Sequence, residues 1–346
     1  YAFIKNPRIN SKGFNTSAIL GFVNTLEEVL KKENPTHIGV AFDPPGPTFR
    51  HEAFEQYKAQ REETPEAIRL SVPIIKDIIR AYRIPILEVA GYEADDVIGT
   101  LATEAGRQGI TTYMMTPDKD YGQLVSDKVF MYRPKHTGGF EVMGVEEVKA
   151  KFDIQSPAQV IDMLGLMGDS SDNIPGCPGV GEKTAQKLIS EFGSIENLLE
   201  HTDQLKGALK TKVETNREMI TFSKFLATIK IDVPIQLEMD SLVREEADED
   251  SLRSIFEELE FRTLIDRVLK KEVSGNGITS TPGSKVATGK SAPSPLPLFP
   301  EEGGGIQGDL FANFTPNEPN EAKKSNLETL ESQPHSYQLI DTEDKR

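Results

Sequence analysis

The sequence predicts an α/β fold with a parallel sheet, followed by a helical domain and a disordered linker. Three observations lead there. Over the first half of the 346 residues, short β-rich runs alternate with helical patterns, the signature of parallel strands joined by crossover helices. From about Val160 to Leu269 the apolar pattern turns helical. From Val273 to Pro334 periodicity gives way to Gly, Ser, Pro, Asn and Glu, a composition that cannot bury enough apolar surface to fold.

In chain order, a helix is expected from about Thr16 to Lys31, then a strand in "HIGVAFD", His37 to Asp43. A second helix runs from about Pro65 to Tyr82, and a second strand lies in "IPILEVAGYE", Ile84 to Glu93. The helix from Ala94 to Arg107 places Ala94, Val97, Ile98, Leu101, Ala102 and Ala105 in one stripe. "TTYMMTPD", Thr111 to Asp118, is the third strand, and "ATIKIDVPIQL" is a strand-like interruption of the later helices. The closing "HSYQLIDTEDKR" again begins like a strand, as if a further domain starts there.

Bulk properties narrow the function. No stretch approaches the roughly 20 apolar residues of a membrane span. The single cysteine, Cys177, rules out an internal disulfide framework and, with no signal-like leader, points to a reducing cytosol. A net charge of −16 argues against gripping nucleic acid by general basicity. Carboxylates that hold divalent cations make a loaded site far less negative than that total.

All three strand runs end in acids: Asp43, then Glu93 with Asp95 and Asp96, then Asp118 with Asp120. Ligands of open α/β sheets bind outside the carboxyl ends of the strands, so these groups are expected to converge. A fourth acidic stretch, "GDSSDNIPG", carries Asp169 and Asp172. Mg²⁺ or Mn²⁺ suits such a cluster, because hard cations take oxygen ligands and a pair about 4 Å apart can drive phosphodiester hydrolysis. A structural reading stands beside this one. Aspartates in a helix's first turn are favoured by capping and the macrodipole, and "DKD" after a strand is ordinary turn chemistry.

"NIPGCPGVGEKTAQKLISEFGS" is the most specific stretch. Pro178 to Gly181 form a tight turn, and Ala185, Leu188, Ile189 and Phe192 fall on one face of the next helix. Gly179 and Gly181 let a ligand approach the backbone, the helix start favours a phosphate, and Lys183 and Lys187 add charge. This is a helix-hairpin-helix pattern, a sequence-independent grip on the DNA backbone, with a plain helix corner as the alternative.

Taken together, "GYEADDVIGTLA", "TPDKDYGQLV", "GLMGDSSDNIPGCPGVGEKTAQKLI" and "FRHEAFEQYKAQR" resemble the 5′-to-3′ exonuclease domain of bacterial DNA polymerases I, relatives of the flap endonucleases, over roughly residues 1 to 270. The resemblance implies a PIN-like nuclease domain at 1–166 and a helix-three-turn-helix DNA-binding region at 167–272. The linker then spans 273–334, and 335–346 open a 3′-to-5′ exonuclease-like domain. It implies divalent-metal cleavage of DNA bearing a 5′ flap, a nick or an RNA primer, in replication and repair, by a cytoplasmic monomer. The implied metal ligands are Asp43, Glu93, Asp95, Asp96, Asp118, Asp120, Asp169 and Asp172, with K⁺ held at Gly179 and Gly181. In the implied arch, Arg50, Lys58 and Arg61 hold the scissile phosphate, and Phe54 and Tyr57 offer rings for base stacking.

The family opens with a strand bearing one more metal-binding aspartate, whereas this sequence opens on "YAFIKNP". The chain as written is therefore expected to be poorly active and less stable than the intact domain. Tyr121-Gly122 also replaces the family's usual Leu-Tyr without displacing either flanking aspartate. In the linker, "QGDLF" resembles a sliding-clamp docking peptide through Gln307, Leu310 and Phe311. Two other readings remain: a non-catalytic DNA-binding fragment, and a free-standing flap nuclease.

Overall fold

The computed structural model describes residues 7–135 and 139–269. The expected linker, the Gln307, Leu310 and Phe311 peptide, the strand at 335–346 and the first six residues lie outside the described residues.

Helix α1 (Ser17–Lys32) leads to strand β1 (Val40–Ala41), the short helix α2 (Phe49–Ala53) and helix α3 (Glu66–Ala81). Strand β2 (Ile86–Leu87), helix α4 (Ala94–Arg107) and strand β3 (Thr112–Met115) follow. A 3₁₀ helix over Lys119–Leu124 then gives way to strands β4 (Val129–Pro134) and β5 (Phe140–Met143). The rest is helical: α5 (Val145–Phe152), α6 (Gln159–Met167), α7 (Glu182–Phe192), α8 (Ile195–Glu200), α9 (Gly207–Thr215), α10 (Arg217–Ala227), α11 (Met239–Leu242), α12 (Glu249–Glu258) and α13 (Arg262–Leu269).

The three expected strands exist, but they do not form one sheet. Strands β1 and β2 pair in parallel at Val40↔Ile86 and Ala41↔Leu87. A separate sheet joins β3 and β4 in parallel, with β5 antiparallel to β4. No strand among the described residues bonds to both β1 and β3; α4, which packs on both, bridges the two pieces. The expected strand at Ala227–Leu237 is also absent. Its backbone donors go to side chains instead: Ile229 N–H to Gln123 Oε1 (2.8 Å), Lys230 N–H to Asp96 Oδ1 (2.8 Å) and Val233 N–H to Thr100 Oγ1 (3.2 Å). With those groups satisfied, no ladder is needed.

Besides a small cluster of Val97, Leu101 and Val233, two apolar cores hold the elements. In one, Ile19 and Val23 of α1 meet Ile78 and Ile79 of α3 and Leu252 and Phe256 of α12. In the other, Met131 of β4 joins Met163 and Leu164 of α6, Leu188 and Ile189 of α7, and Leu226 of α10. No described helix is long and apolar enough to cross a membrane.

One turn shapes the site. Asp169 and Ile174 exchange backbone hydrogen bonds (Asp169 N–H to Ile174 O, 2.9 Å; Ile174 N–H to Asp169 O, 2.8 Å), pinching 169–174 into a closed loop. Gly168 (φ +73°) and Gly176 (φ +62°) close its base, where a Cβ on Gly176 would run into the backbone of Gly168. Gly193, also left-handed at φ +81°, has open space around it. Gly176→Ala should therefore cost about 2 kcal/mol or more in a urea titration, and Gly193→Ala about 1 kcal/mol; equal costs would contradict the packing assigned to this loop base.

Candidate active site

Four chain segments bring the acids together. Glu93 caps α4, so Asp95 and Asp96 fall in its first turn. Asp43, just beyond β1, accepts the Ala94 N–H at 2.8 Å and so docks on the same helix end. Asp118 accepts the Asp120 N–H at 2.9 Å, fixing the turn after β3. Asp169 and Asp172 stand on the pinched loop.

Asp96 is fully buried and saturated. Arg50 Nη1 and Nη2 each donate to it at 2.8 Å, and the Lys230 and Glu93 N–H groups complete its shell at 2.8 and 3.1 Å. Arg50 also donates through Nε to Leu226 O (2.9 Å) and through Nη2 to Thr228 O (2.7 Å). Burial by itself would lower its basicity, but Asp96 and Glu93 hold it above the usual value. These facts correct two expectations. Arg50 is only 2 % exposed and is committed to the protein, so it is a tie between α2, α4 and the end of α10, not a phosphate ligand. Asp96 belongs to that tie.

Tyr57 is a third correction. It is buried, and its hydroxyl donates to Glu93 Oε2 and Asp172 Oδ2, both at 3.2 Å, so its ring offers no open face for a base. Phe54 packs on Phe222 with ring centroids 5.7 Å apart. Lys58 and Arg61 do reach the acids. Lys58 Nζ lies 2.8 Å from Glu93 and 3.7 Å from Asp172, while Arg61 pairs with Asp172. The backbone locks this segment down: Lys58 N–H donates to Asp172 O at 3.0 Å, and Asn173 Nδ2 to Gln56 O at 2.7 Å.

On the opposite wall stand Asp95, Asp118, Asp120 and Asp169. Burial, then the charge of Asp118, pushes the Asp95 carboxyl up to about 7, although Tyr121 OH donates to it at 2.7 Å. Burial also raises Asp118, opposed by the Asp120 N–H and reinforced by Asp172 and Asp169. Asp120 is raised further by burial and by Asp118, and its Oδ1 is buried without a partner. Asp169 escapes this fate: burial raises it, but Lys119, 2.8 Å away, brings it below the usual range.

Among the described residues no three His, Cys, Asp or Glu side chains stand as a ready metal cage. Glu93, Asp96, Asp169 and Asp172 are turned toward Lys and Arg of the same chain. The donor set nevertheless fits a hard divalent cation: an orphaned carboxylate oxygen on Asp120, and neighbours that cannot all ionise without added positive charge.

The hairpin forms a separate surface. Gly181 caps α7, accepting the Ala185 N–H at 2.9 Å, with Lys183 and Lys187 exposed beside it. Lys212 Nζ lies 3.4 Å from the carbonyl of Gly179, the group expected to face K⁺. Lys119 and Lys212 were not singled out in the sequence, and Tyr121 entered only as a departure from the family's usual Leu-Tyr. Lys119 had a readable signal, being flanked by two acids; Lys212 had none.

A resolvase-like α/β part with an acidic cluster, followed by a helical part bearing a hairpin, defines the class. Residues 1–153 match the 5′-3′ exonuclease N-terminal resolvase-like domain, and residues 155–250 match the 5′-3′ exonuclease C-terminal SAM fold. The chain belongs to the 5′-3′ exonuclease family. It is 42% identical over 270 residues to a DNA polymerase I of Bacillus caldotenax and 43% identical over 270 residues to that of Bacillus subtilis (strain 168). Each alignment covers 77% of this chain and 31% of the relative, so the chain spans about a third of those proteins. Among solved structures, it shares its fold with T5 5′-exonuclease with bound zinc (TM-score 0.53, 23% identity, 69% of this chain and 90% of that one). It also shares it with the catalytic core of Rad2 in complex with DNA substrate (TM-score 0.52, 19% identity, 75% and 83%).

The Arg50 tie yields a prediction. Arg50→Ala strands the buried Asp96 and should lower unfolding stability by about 3–5 kcal/mol, whereas Arg61→Ala, on a half-exposed side chain, should change it by less than about 1 kcal/mol. Urea titration distinguishes them, and similar small losses would contradict the assignment.

Proposed function

We propose that this chain is the divalent-metal-dependent 5′-3′ nuclease portion of a DNA polymerase I, cutting DNA that carries a 5′ flap, a nick or an RNA primer. The observation that carries this reading is the wall of Asp95, Asp118, Asp120 and Asp169, crowded, short of positive charge and with Asp120 Oδ1 buried without a partner, inside a 5′-3′ exonuclease fold.

These four residues would hold Mg²⁺ or Mn²⁺, in a pair of sites, with Asp43, Glu93 and Asp172 at the margin. Bound there, the ions supply Lewis acidity and an activated water. The chain's own groups do the rest. Lys58 and Arg61, at the rim of the cluster, turn from Glu93 and Asp172 to the scissile phosphate and neutralise its charge. The pinched 169–174 loop and the 3₁₀ turn at Asp118 fix the carboxylates before substrate arrives. Gly179, Gly181, Lys183 and Lys187 grip the duplex backbone without reading sequence, with K⁺ or the Lys212 ammonium beside the Gly179 carbonyl. Gln307, Leu310 and Phe311 dock the chain on a sliding clamp.

A second reading, a DNA-binding fragment without turnover, draws on one observation: four of the acids are already paired with the protein's own cations. Asp118→Asn separates the two. With a labelled 5′-flap substrate and Mg²⁺, the variant should lose roughly a hundredfold or more in cleavage while its DNA affinity by fluorescence anisotropy stays within about threefold. Binding lost in step with cleavage would refute this division of labour, and a wild-type chain that binds flaps but never cuts them would favour the second reading.

A further inference from the structure

Lys119 is the one Lys or Arg ion-paired with the Asp118, Asp120 and Asp169 wall among the described residues. Its ammonium lies 2.8 Å from Asp169 Oδ2, while Asp169 Oδ1 is taken by the Ser171 N–H at 2.8 Å. Burial by itself would lower the basicity of Lys119, but Asp169, Asp120 and Asp118 hold it above the ordinary lysine value, in that order of effect. The ammonium serves one carboxylate of the three and leaves Asp120 Oδ1 without a partner.

The two walls hold their lysines differently. Lys58 sits on a left-handed backbone (φ +57°) that is itself bonded to Asp172 O, and its ammonium is shared between Glu93 and Asp172. Lys119 opens the 3₁₀ helix between two acids, its backbone fixed by the Asp118 to Asp120 hydrogen bond. Its side chain is 28% exposed. The ammonium can therefore leave for solvent on its four-carbon stem without any change of backbone.

We propose that Lys119 is a built-in counter-ion for this wall, occupying it in the metal-free protein and giving way when a divalent cation binds. The assignment rests on the metal reading above. A monovalent and a divalent cation in one low-dielectric pocket repel each other, while three bare carboxylates repel as well. An ammonium on a flexible stem answers both states: it neutralises the wall when metal is scarce and withdraws when metal is present. Lys119 thereby sets how much metal the site demands.

The test is isothermal titration of MnCl₂ into the full 346-residue chain without DNA. Lys119→Met and Lys119→Gln should bind Mn²⁺ about tenfold more tightly than the wild type, while Lys119→Arg stays within about threefold. A lysine that only braced Asp169 would give weaker or unchanged binding in the Met and Gln variants, and that result overturns the proposal. If those variants do not fold, the wild type alone decides. Acetylation of Lys119 by an N-hydroxysuccinimide ester, read by mass spectrometry, should rise on saturation with Mg²⁺, and an unchanged or reduced yield overturns it. A wild-type chain that takes up no Mn²⁺ overturns the metal reading together with this one, whereas uptake unaffected by Lys119 overturns this one alone.

Discussion

The buried fork of Arg50 on Asp96 is the constraint from which the site's geometry follows. It joins α2, the first turn of α4 and the carbonyls of Leu226 and Thr228 at the end of α10. An ion pair taken out of water contributes little net stability, but removing one partner is costly, because the other is left charged and unsolvated. The fork therefore acts as a lock on position. With Asp96 spent on Arg50, Asp95 on the neighbouring position of the same turn is the residue left to meet Tyr121 and the Asp118 turn.

Around that lock the acids divide into two walls with opposite electrostatics. Glu93 and Asp172 meet Lys58, Arg61 and the Tyr57 hydroxyl. Asp95 accepts from the Tyr121 hydroxyl and Asp118 from the Asp120 N–H, Asp120 Oδ1 has no partner, none of the three is ion-paired among the described residues, and burial pushes their carboxyls up. Like charges in such a place either take up protons or take up cations. An enzyme that hydrolyses phosphodiesters with hard metal ions needs the second outcome on one wall and a ready source of positive side chains on the other.

Much of this was legible in the residues, and the rest was not for identifiable reasons. Helix α4 spans Ala94–Arg107 as its apolar stripe requires, and the stripe of α7 at Ala185, Leu188, Ile189 and Phe192 is buried as expected. Strong 3.6-residue periodicity is local information. The clustering of acids was readable because they recur at strand ends. The fate of Arg50 was not: its partner lies 46 positions away, and a bidentate pair leaves no trace in spacing. Tyr57 read as a stacking surface because an aromatic among charges looks solvent-facing, whereas its hydroxyl is consumed by two carboxylates. The stretch after α10 read as a strand from its β-branched residues, yet its donors had found Asp96, Thr100 and Gln123.

Collection of divalent cations by the poorly compensated wall is the property on which the site's chemistry depends. Anomalous diffraction from crystals of this chain grown with Mn²⁺ addresses that directly. Peaks within coordination distance of the Asp118 and Asp120 carboxylates, shared with Asp95 or Asp169, are the expected result. Manganese bound elsewhere, with no peak at those four side chains, would contradict it.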